Sequence, residues 1–306
     1  MAVTKKHTLS AVVFDTTVLG AITRQSIAQE SEIRGDRTSG EVWARWQALY
    51  KQRVAPSFAT RDLATALAEA GLTGVSIADL TAGFIMYAQK YALGGTRTAG
   101  AAHRKFVLDN GLIVPRRLSV SHGEDAELEY EIFATSDGTN HPLTITDTQS
   151  LPAGIDDAAR FTLPAAGNTT IGAKTINQVQ SIEIDFGVSA ITEGADSDLW
   201  DTFCGIEEVA PSLVITTTDV ETLGPTQIPR EGLVCTHANT ILYLRKRDDG
   251  GTFVADVTAE HIKLTAAGLA VIDEMLSDDG QTALRIPLIY DGTNAPLTIN
   301  PASAIT

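Results

Sequence analysis

Four carboxylates stand at alternate positions in the stretch EDAELEYEI: Asp125, Glu127, Glu129 and Glu131. Residues two apart lie on the same face of a β-strand, so the pattern predicts a strand with one acidic face and one apolar face. A pair of carboxylates on such a face could supply the acid and the base of a glycosidase. Four in a row suit a solvated strand face equally well, and both interpretations stay open.

The histidines predict no metal site. None of the six has another histidine three to five residues away, which is the usual spacing of zinc ligands. His103 and His261 share a local pattern, with a lysine two residues further on. They could form a paired ligand or an interface switch, but we favour structural residues inherited through a duplication.

Motifs of nucleotide binding and of common hydrolases are also missing from the sequence. Neither GxGxxG nor GxxxxGK[ST] occurs, and neither GxSxG nor HExxH occurs. We therefore expect no catalytic, cofactor-binding or metal site, and we expect that the protein is not an enzyme.

The composition excludes several classes of protein. The formal net charge of −15 disfavours a nucleic-acid-binding protein, which needs a basic face, and adhesion to anionic membranes. The two cysteines, Cys204 and Cys235, have no CxxC spacing, so we expect free thiols in a reducing cytoplasm. The sequence shows neither a signal peptide nor an apolar run long enough for a transmembrane helix.

The chain repeats itself. DGTNHPLTI at Asp137–Ile145 returns as DGTNAPLTI at Asp291–Ile299, 154 residues later. Further matches follow in the same order at offsets of 154 to 158 residues. They include VAPS at Val54–Ser57 and Val209–Ser212, Tyr87 and Tyr243, and His103 and His261. We predict a tandem duplication with domains 1–150 and 151–306, joined near Asp147–Arg160.

Strand and turn signals dominate both copies. Asn110-Gly111 predicts a two-residue hairpin turn of type I′. Turns at Ser121–Asp125 and at Ser277–Gln281 each separate two strand-like runs. The fold class we predict is mainly β, with two tandem domains that are each a β-sandwich or partial barrel.

Helical patterns add α+β character to the first copy. Thr38–Gln52 has capping-box spacing and aromatic residues at helical intervals. Thr60–Gly71 has a candidate N-cap at Thr60 and a C-cap at Gly71. The second copy keeps only a short counterpart of these helical stretches, SDLWDTF at Ser197–Phe203. Each copy is therefore expected to carry a flanking helix.

Two tandem β-rich copies, an acidic chain and no catalytic constellation resemble the tail tube (major tail) proteins of long-tailed bacteriophages. The resemblance implies a structural virion protein in which six β domains close into a ring and rings stack into a tube for DNA. Some members carry two such domains in one chain. It implies a homo-oligomer of three chains with pseudo-six-fold symmetry, assembled in the host cytoplasm, and contacts with other tail proteins.

The resemblance also gives the acidic strand a role. If the chain forms a tube, Asp125, Glu127, Glu129 and Glu131 would line the lumen, where DNA passes without specific binding. Two alternatives remain: another virion protein, such as a decoration or distal tail component, and a carbohydrate-binding or adhesive β-sandwich pair. Aromatic residues, at 6% of the chain, argue against carbohydrate binding.

Overall fold

The computed structural model describes residues 6–92, 95–155, 160–164, 167–195, 198–219, 228–248 and 251–306. The fold is mainly β, as the sequence predicts, and its strands form antiparallel sheets. Strands β1 to β10 belong to the first half and strands β11 to β23 to the second.

Among its described residues, the first half contains ten strands, one α-helix and a 3₁₀ turn at Ile77–Asp79. The strands are β1 Lys6–Phe14, β2 Thr17–Leu19, β3 Ile22–Asp36, β4 Trp46–Thr60, β5 Val75–Ser76, β6 Phe84–Tyr91, β7 His103–Leu108, β8 Gly111–Ser121, β9 Glu127–Ala134 and β10 Thr144–Gln149. The helix α1 is Leu63–Ala70.

The described part of the second half contains thirteen strands. They are β11 Arg160–Thr162, β12 Thr169–Ile171, β13 Lys174–Ile176, β14 Val179–Asp185, β15 Val188–Glu193, β16 Phe203–Val209, β17 Ser212–Thr217, β18 Leu233–Cys235, β19 Ile241–Arg247, β20 His261–Ala266, β21 Gly268–Glu274, β22 Thr282–Pro287 and β23 Leu297–Ser303.

The two halves share one strand order. In the first half, one sheet runs β10-β7-β6-β1-β2 and the other runs β5-β8-β9-β4-β3. In the second half, β23-β20-β19-β12-β13 matches the first sheet, with β11 also on β19, and β18-β21-β22-β17-β14 matches the other. The common order supports a duplication of one fold.

The correspondence extends to irregularities. The β3–β4 ladder shifts register between Ile22 and Arg24, and the β14–β17 ladder shifts at the equivalent place, between Val179 and Ser181. These positions are 157 residues apart. Thr60 lies opposite Ile22 and Thr217 lies opposite Val179, so the two threonines are equivalent, at an offset of 157 residues. The repeated VAPS letters are 155 residues apart, so they are not structurally equivalent, and our alignment of them was wrong by two residues.

The core of the first half lies between its two sheets. Phe58 on β4 stacks on Tyr130 of β9, with ring centroids 4.9 Å apart, and Phe14 of β1 meets both rings edge-on. The Tyr130 hydroxyl donates a hydrogen bond to the carbonyl oxygen of Ala66 in α1 (3.1 Å). The helix is therefore fastened to the core by a polar contact as well as by its apolar face.

One helix prediction is confirmed and two are wrong. The predicted helix Thr60–Gly71 is α1, although Asp62, and not Thr60, precedes its first residue. Thr38–Gln52 is the tip and second strand of a hairpin, because cross-strand pairing along β3 and β4 overrides its helical spacing. Residues 198–203 of SDLWDTF also form a hairpin tip, and Ser197 lies outside the described residues.

The hairpin predicted at Asn110-Gly111 is also wrong. Strand β7 pairs with β6 and β10, whereas β8 pairs with β9, so these two residues connect different sheets. A Cβ on Gly111 would lie 2.2 Å from the Phe133 carbonyl oxygen, so glycine allows β8 to approach β9 closely where the chain enters this sheet. The hairpin turns predicted near Ser121 and Ser277 are confirmed.

Candidate assembly surfaces

The two halves join through a strand pairing. Strand β14 of the second half lies antiparallel to β8 of the first half, from Ser181 opposite Ser121 to Asp185 opposite Arg117. The Arg117 guanidinium binds the Glu183 carboxylate across this junction (2.7 Å). One sheet therefore continues from the first half into the second.

A hairpin of the second half then lies against the first half. The hairpin is β15–β16, and it continues from the β14–β17 pair. At its base, the Phe186 N–H donates to the carbonyl oxygen of Arg116 (3.0 Å). The junction therefore has two parts, which are a strand edge and a docked hairpin.

The tip of this docked hairpin is held by polar and aromatic contacts. The Gln52 N–H donates to the Leu199 carbonyl oxygen and the Ser136 N–H to that of Asp201, both at 2.8 Å. The Lys51 ammonium binds the Asp201 carboxylate (2.7 Å). The tip therefore satisfies backbone N–H groups of the first half, and the first half supplies an ammonium group to the buried Asp201 carboxylate of the tip. In addition, the Trp200 ring meets the His141 ring edge-on, with centroids 4.2 Å apart.

Each part of the junction has an equivalent that the chain leaves open. Strand β3, the counterpart of β14, has an outer edge without a strand partner among the described residues. Strand β21, the counterpart of β8, pairs with β18 only at Gly268–Ala270. In the described part of the chain, Val271–Glu274 has no strand on that side. An open strand edge presents unpaired N–H and C=O groups that favour pairing with another chain.

Exposed apolar side chains concentrate on the same open surfaces. On the β3–β4 hairpin they are Ile33, Val42, Trp43, Trp46, Leu49 and Tyr50. On the second half, next to the β21 edge, they are Val234, Leu269, Met275, Leu276, Ile289 and Tyr290. Apolar clusters of this kind are typical of protein–protein contacts. We call the first set the donor surface and the second set the acceptor surface.

The predicted acidic strand is partly as expected. Glu127, Glu129 and Glu131 lie on one face of β9, and Leu128 and Tyr130 are buried on the other. Asp125 precedes the strand and is half-buried in a turn.

Arginines neutralise these carboxylates. Arg24 of β3 binds both Glu127 and Glu129, at 2.7 and 2.5 Å. Arg116 binds Glu131 at 2.6 Å, and Arg61 lies 3.4 Å from Asp125. The strand therefore carries ion pairs that connect β9 with β3 and β8.

The two equivalent histidines are structural. His103 and His261 are both buried, and the Nδ1 atom of each accepts a backbone N–H, from Lys90 at 2.9 Å and from Lys246 at 3.0 Å. Within the described ranges, no three His, Cys, Asp or Glu side chains gather as metal ligands.

The cysteines are also as expected, since Cys204 and Cys235 are both free. Burial raises the pKa of each thiol, so neither is activated as a nucleophile. No described helix is both long enough and apolar enough to span a membrane.

Burial predicts a pH effect at His103. Burial lowers the pKa of its imidazole, so the folded chain favours the neutral ring, whereas the unfolded chain binds a proton below about pH 6.5. This contribution to stability is present above about pH 6.5 and is lost as the pH falls. His103→Asn keeps an acceptor for the Lys90 N–H and does not titrate. Urea unfolding at about pH 7 and pH 5 should show a smaller loss of stability in the variant. Equal losses would show that His103 does not titrate on unfolding.

Sequence reasoning missed the assembly surfaces because it placed a helix at Thr38–Gln52. A usable signal was present, since GEVWARW at Gly40–Trp46 matches SDLWDTF at Ser197–Phe203 at an offset of 157 residues. In addition, Gly35 lies near the end of β3 and Gly40 lies within the hairpin turn. No family model matches this chain, and no curated protein is significantly similar to it.

Proposed function

We propose that this protein is a structural subunit of a bacteriophage tail tube, in which its copies form stacked rings around a channel for DNA. The pairing of β14 with β8 carries the proposal, because the equivalent edges of β3 and β21 are open and complementary. A contact between two different surfaces joins copies head to tail, and such a series forms a ring when its rotation closes.

The ring we propose contains three chains. Each chain already makes one such contact between its own halves, so three chains present six similar halves around one axis. That number agrees with the six-domain rings of the tail tube proteins that the sequence resembles. The β8–β9 and β21–β22 hairpins occupy equivalent places, so all six would project from one face of the ring, where the next ring stacks.

The channel wall would be the face of the continuous sheet that points away from the core. Glu127, Glu129, Glu131, Glu183 and Asp185 lie on this face, together with several arginines. The arginines that are bound to Glu127, Glu129, Glu131 and Glu183 attract DNA phosphates little, because their charges are already paired. The chain as a whole carries −15, which repels DNA over a Debye length of about 8 Å at physiological salt. Such a wall lets DNA slide without binding.

Charge reversal on this wall is expected to slow DNA. Glu129→Lys together with Glu131→Lys would place cations where the proposal puts the channel, and cations bind phosphates. Phage carrying both changes should eject DNA more slowly than unaltered phage, and the difference should be larger at low salt than at high salt. Asp147→Lys is the matched control. Asp147 lies on β10 in the other sheet, and its carboxylate is paired with Arg104. Equal ejection by all variants would place β9 outside the channel.

Negative-stain imaging of the purified protein tests the function. Rings or tubes with a central channel support the proposal. Single particles without a channel at every concentration would contradict it. A glycan array and a hydrolase panel separate the remaining classes. Glycan binding would support an adhesive protein, and turnover that disappears with one carboxylate would support an enzyme. We expect neither.

A further inference from the structure

We propose that the tip of the β3–β4 hairpin, with Trp43 at its apex, docks on the second half of a neighbouring copy of this chain at Ile289–Tyr290. The contact would reproduce between chains what the β15–β16 hairpin makes inside one chain. The proposal rests on the ring proposed above, and it names the surfaces that close that ring.

The two hairpins are equivalent residue by residue. Both ladders shift register at the same place, between Glu32 and Ile33 in one and between Ser189 and Ala190 in the other. The offset is 157 residues on both strands of each hairpin, so neither hairpin has an insertion relative to the other. Trp43 is therefore the counterpart of Trp200.

The tips also fold alike. Each has one hydrogen bond that closes the turn and one that closes the ladder. In the first half these are Glu41 N–H to Thr38 O (3.1 Å) and Arg45 N–H to Asp36 O (3.0 Å). In the second half they are Asp198 N–H to Ala195 O (3.1 Å) and Thr202 N–H to Glu193 O (2.9 Å). The free tip thus already makes the same two hydrogen bonds as the docked one, which lowers the entropy cost of binding.

Occupancy is what distinguishes the two tips. The Trp200 ring packs against His141, whereas the Trp43 side chain is 81% exposed. Exposing a tryptophan to this extent at the end of a long hairpin is unfavourable for an isolated chain. Buried tryptophans are frequent anchors of protein interfaces.

The proposed docking site on the acceptor surface is exposed to solvent, whereas its counterpart inside the chain is covered by the docked tip. Inside the chain, Thr135 and Ser136 under the docked tip are 4% and 7% exposed. Their equivalents are Ile289 and Tyr290, which directly precede the repeated DGTN phrase and are 58% and 63% exposed. The open site is therefore more apolar than the filled one, and it provides an aromatic ring to contact the Trp43 indole.

Charge complementarity also favours a second copy as the occupant. Inside the chain, Lys51 of the receiving half binds Asp201 of the tip. In the open pair the receiving residue is Glu208, the counterpart of Lys51, and the tip carries Arg45 beside Ala44. The receiving charge is therefore reversed, from Lys51 to Glu208. In the tip the uncharged Ala44 replaces Asp201, and the adjacent Arg45, which binds Glu41 in the free tip, offers a cation to Glu208.

Cross-linking between separately prepared variants tests this contact. Ala44 and Glu208 correspond to Asp201 and Lys51, whose side chains meet, so Ala44→Cys and Glu208→Cys should be joined by a short bismaleimide when mixed. Ala44→Cys mixed with Thr139→Cys is the control for random collision, and the unmodified chain controls for Cys204 and Cys235. We expect a covalent dimer from the first mixture alone.

A second variant introduces no cysteine and removes the tryptophan side chain that we propose anchors the contact. Trp43→Ala should weaken assembly at least about tenfold in a concentration series by mass photometry, as expected of an interface tryptophan. Val257→Ala is the matched control, because Val257 is an exposed apolar residue outside both surfaces.

The outcomes distinguish this inference from the ring itself. Rings that form without the cross-link, and that Trp43→Ala leaves unchanged, would overturn the docking site and leave the ring. The specific cross-link without closed rings would support the docking site and contradict the ring. Absence of both rings and cross-link would overturn both. Binding of a different protein or of vesicles to the tip, without the cross-link, would also overturn the proposed docking site.

Discussion

The variant Gln29→Pro is expected to remain folded and monomeric under conditions in which the unaltered chain assembles. Gln29 is the counterpart of Phe186, whose N–H donates to the Arg116 carbonyl oxygen at the junction of the two halves. Proline removes this N–H and crowds the open edge, yet it is tolerated on an edge strand whose N–H points outward. The loss would leave the Asp273 carbonyl oxygen of the next chain unpaired, which costs about 1–3 kcal/mol per contact.

Gln29→Ala is the matched control, since it shortens the same side chain and keeps the N–H. Mass photometry of both variants should show assemblies for alanine and single chains for proline, with similar circular dichroism spectra. If Gln29→Pro assembled as well as Gln29→Ala, the β3 edge would not be an assembly surface. If it failed to fold, a charge at Met275 on the opposite edge, as in Met275→Asp, would test the same contact from the other side.

The second large effect concerns stability. Tyr130→Ala is expected to lower the free energy of unfolding by about 3–5 kcal/mol, because it removes a fully buried ring that stacks on Phe58. Tyr130→Phe keeps the ring and removes only the hydrogen bond to Ala66, so it should cost about 1 kcal/mol.

Urea unfolding followed by tryptophan fluorescence and by far-ultraviolet circular dichroism measures both variants. The two costs should differ severalfold. Equal costs would mean that the hydroxyl, and not ring packing, joins α1 to the sheets. The oligomeric state must be measured in the same samples, because an oligomer that contains only folded chains raises their apparent stability.

The mainly β fold class could be predicted because the chain repeats local strand and turn chemistry. In both DGTN phrases the aspartate carboxylate accepts hydrogen bonds from the backbone N–H groups of the threonine and the asparagine and from the asparagine side-chain amide. These bonds lower the pKa of Asp137, and they lower that of Asp291 to about 2. A turn made by its own side chains keeps its letters after duplication, so it is visible in sequence.

The hairpin was not predictable by the same reasoning, because its pattern is ambiguous. Trp43, Trp46 and Tyr50 stand at helical spacing, but within the chain they contact no core. A helix prediction from spacing assumes that the spaced residues share a buried face within their own chain. This assumption fails on a surface that we propose contacts another copy. Pairing with β3 decides the conformation instead.

The junction itself depends on contacts between residues far apart in sequence. Arg117 and Glu183 face each other only because β14 extends the sheet of the other half. The sequence alone does not specify this pairing. The repeat indicates it once the structure shows which strand edges are paired and which are unpaired.

Cryo-electron microscopy of the assembled protein tests the central claim most directly. The proposal predicts rings of three chains, in which six similar halves alternate and β3 of each chain lies antiparallel to β21 of the next. The map should also show the tip of each β3–β4 hairpin on the neighbouring second half. Rings of six chains with twelve halves, or a chain that stays monomeric under all conditions, would contradict it.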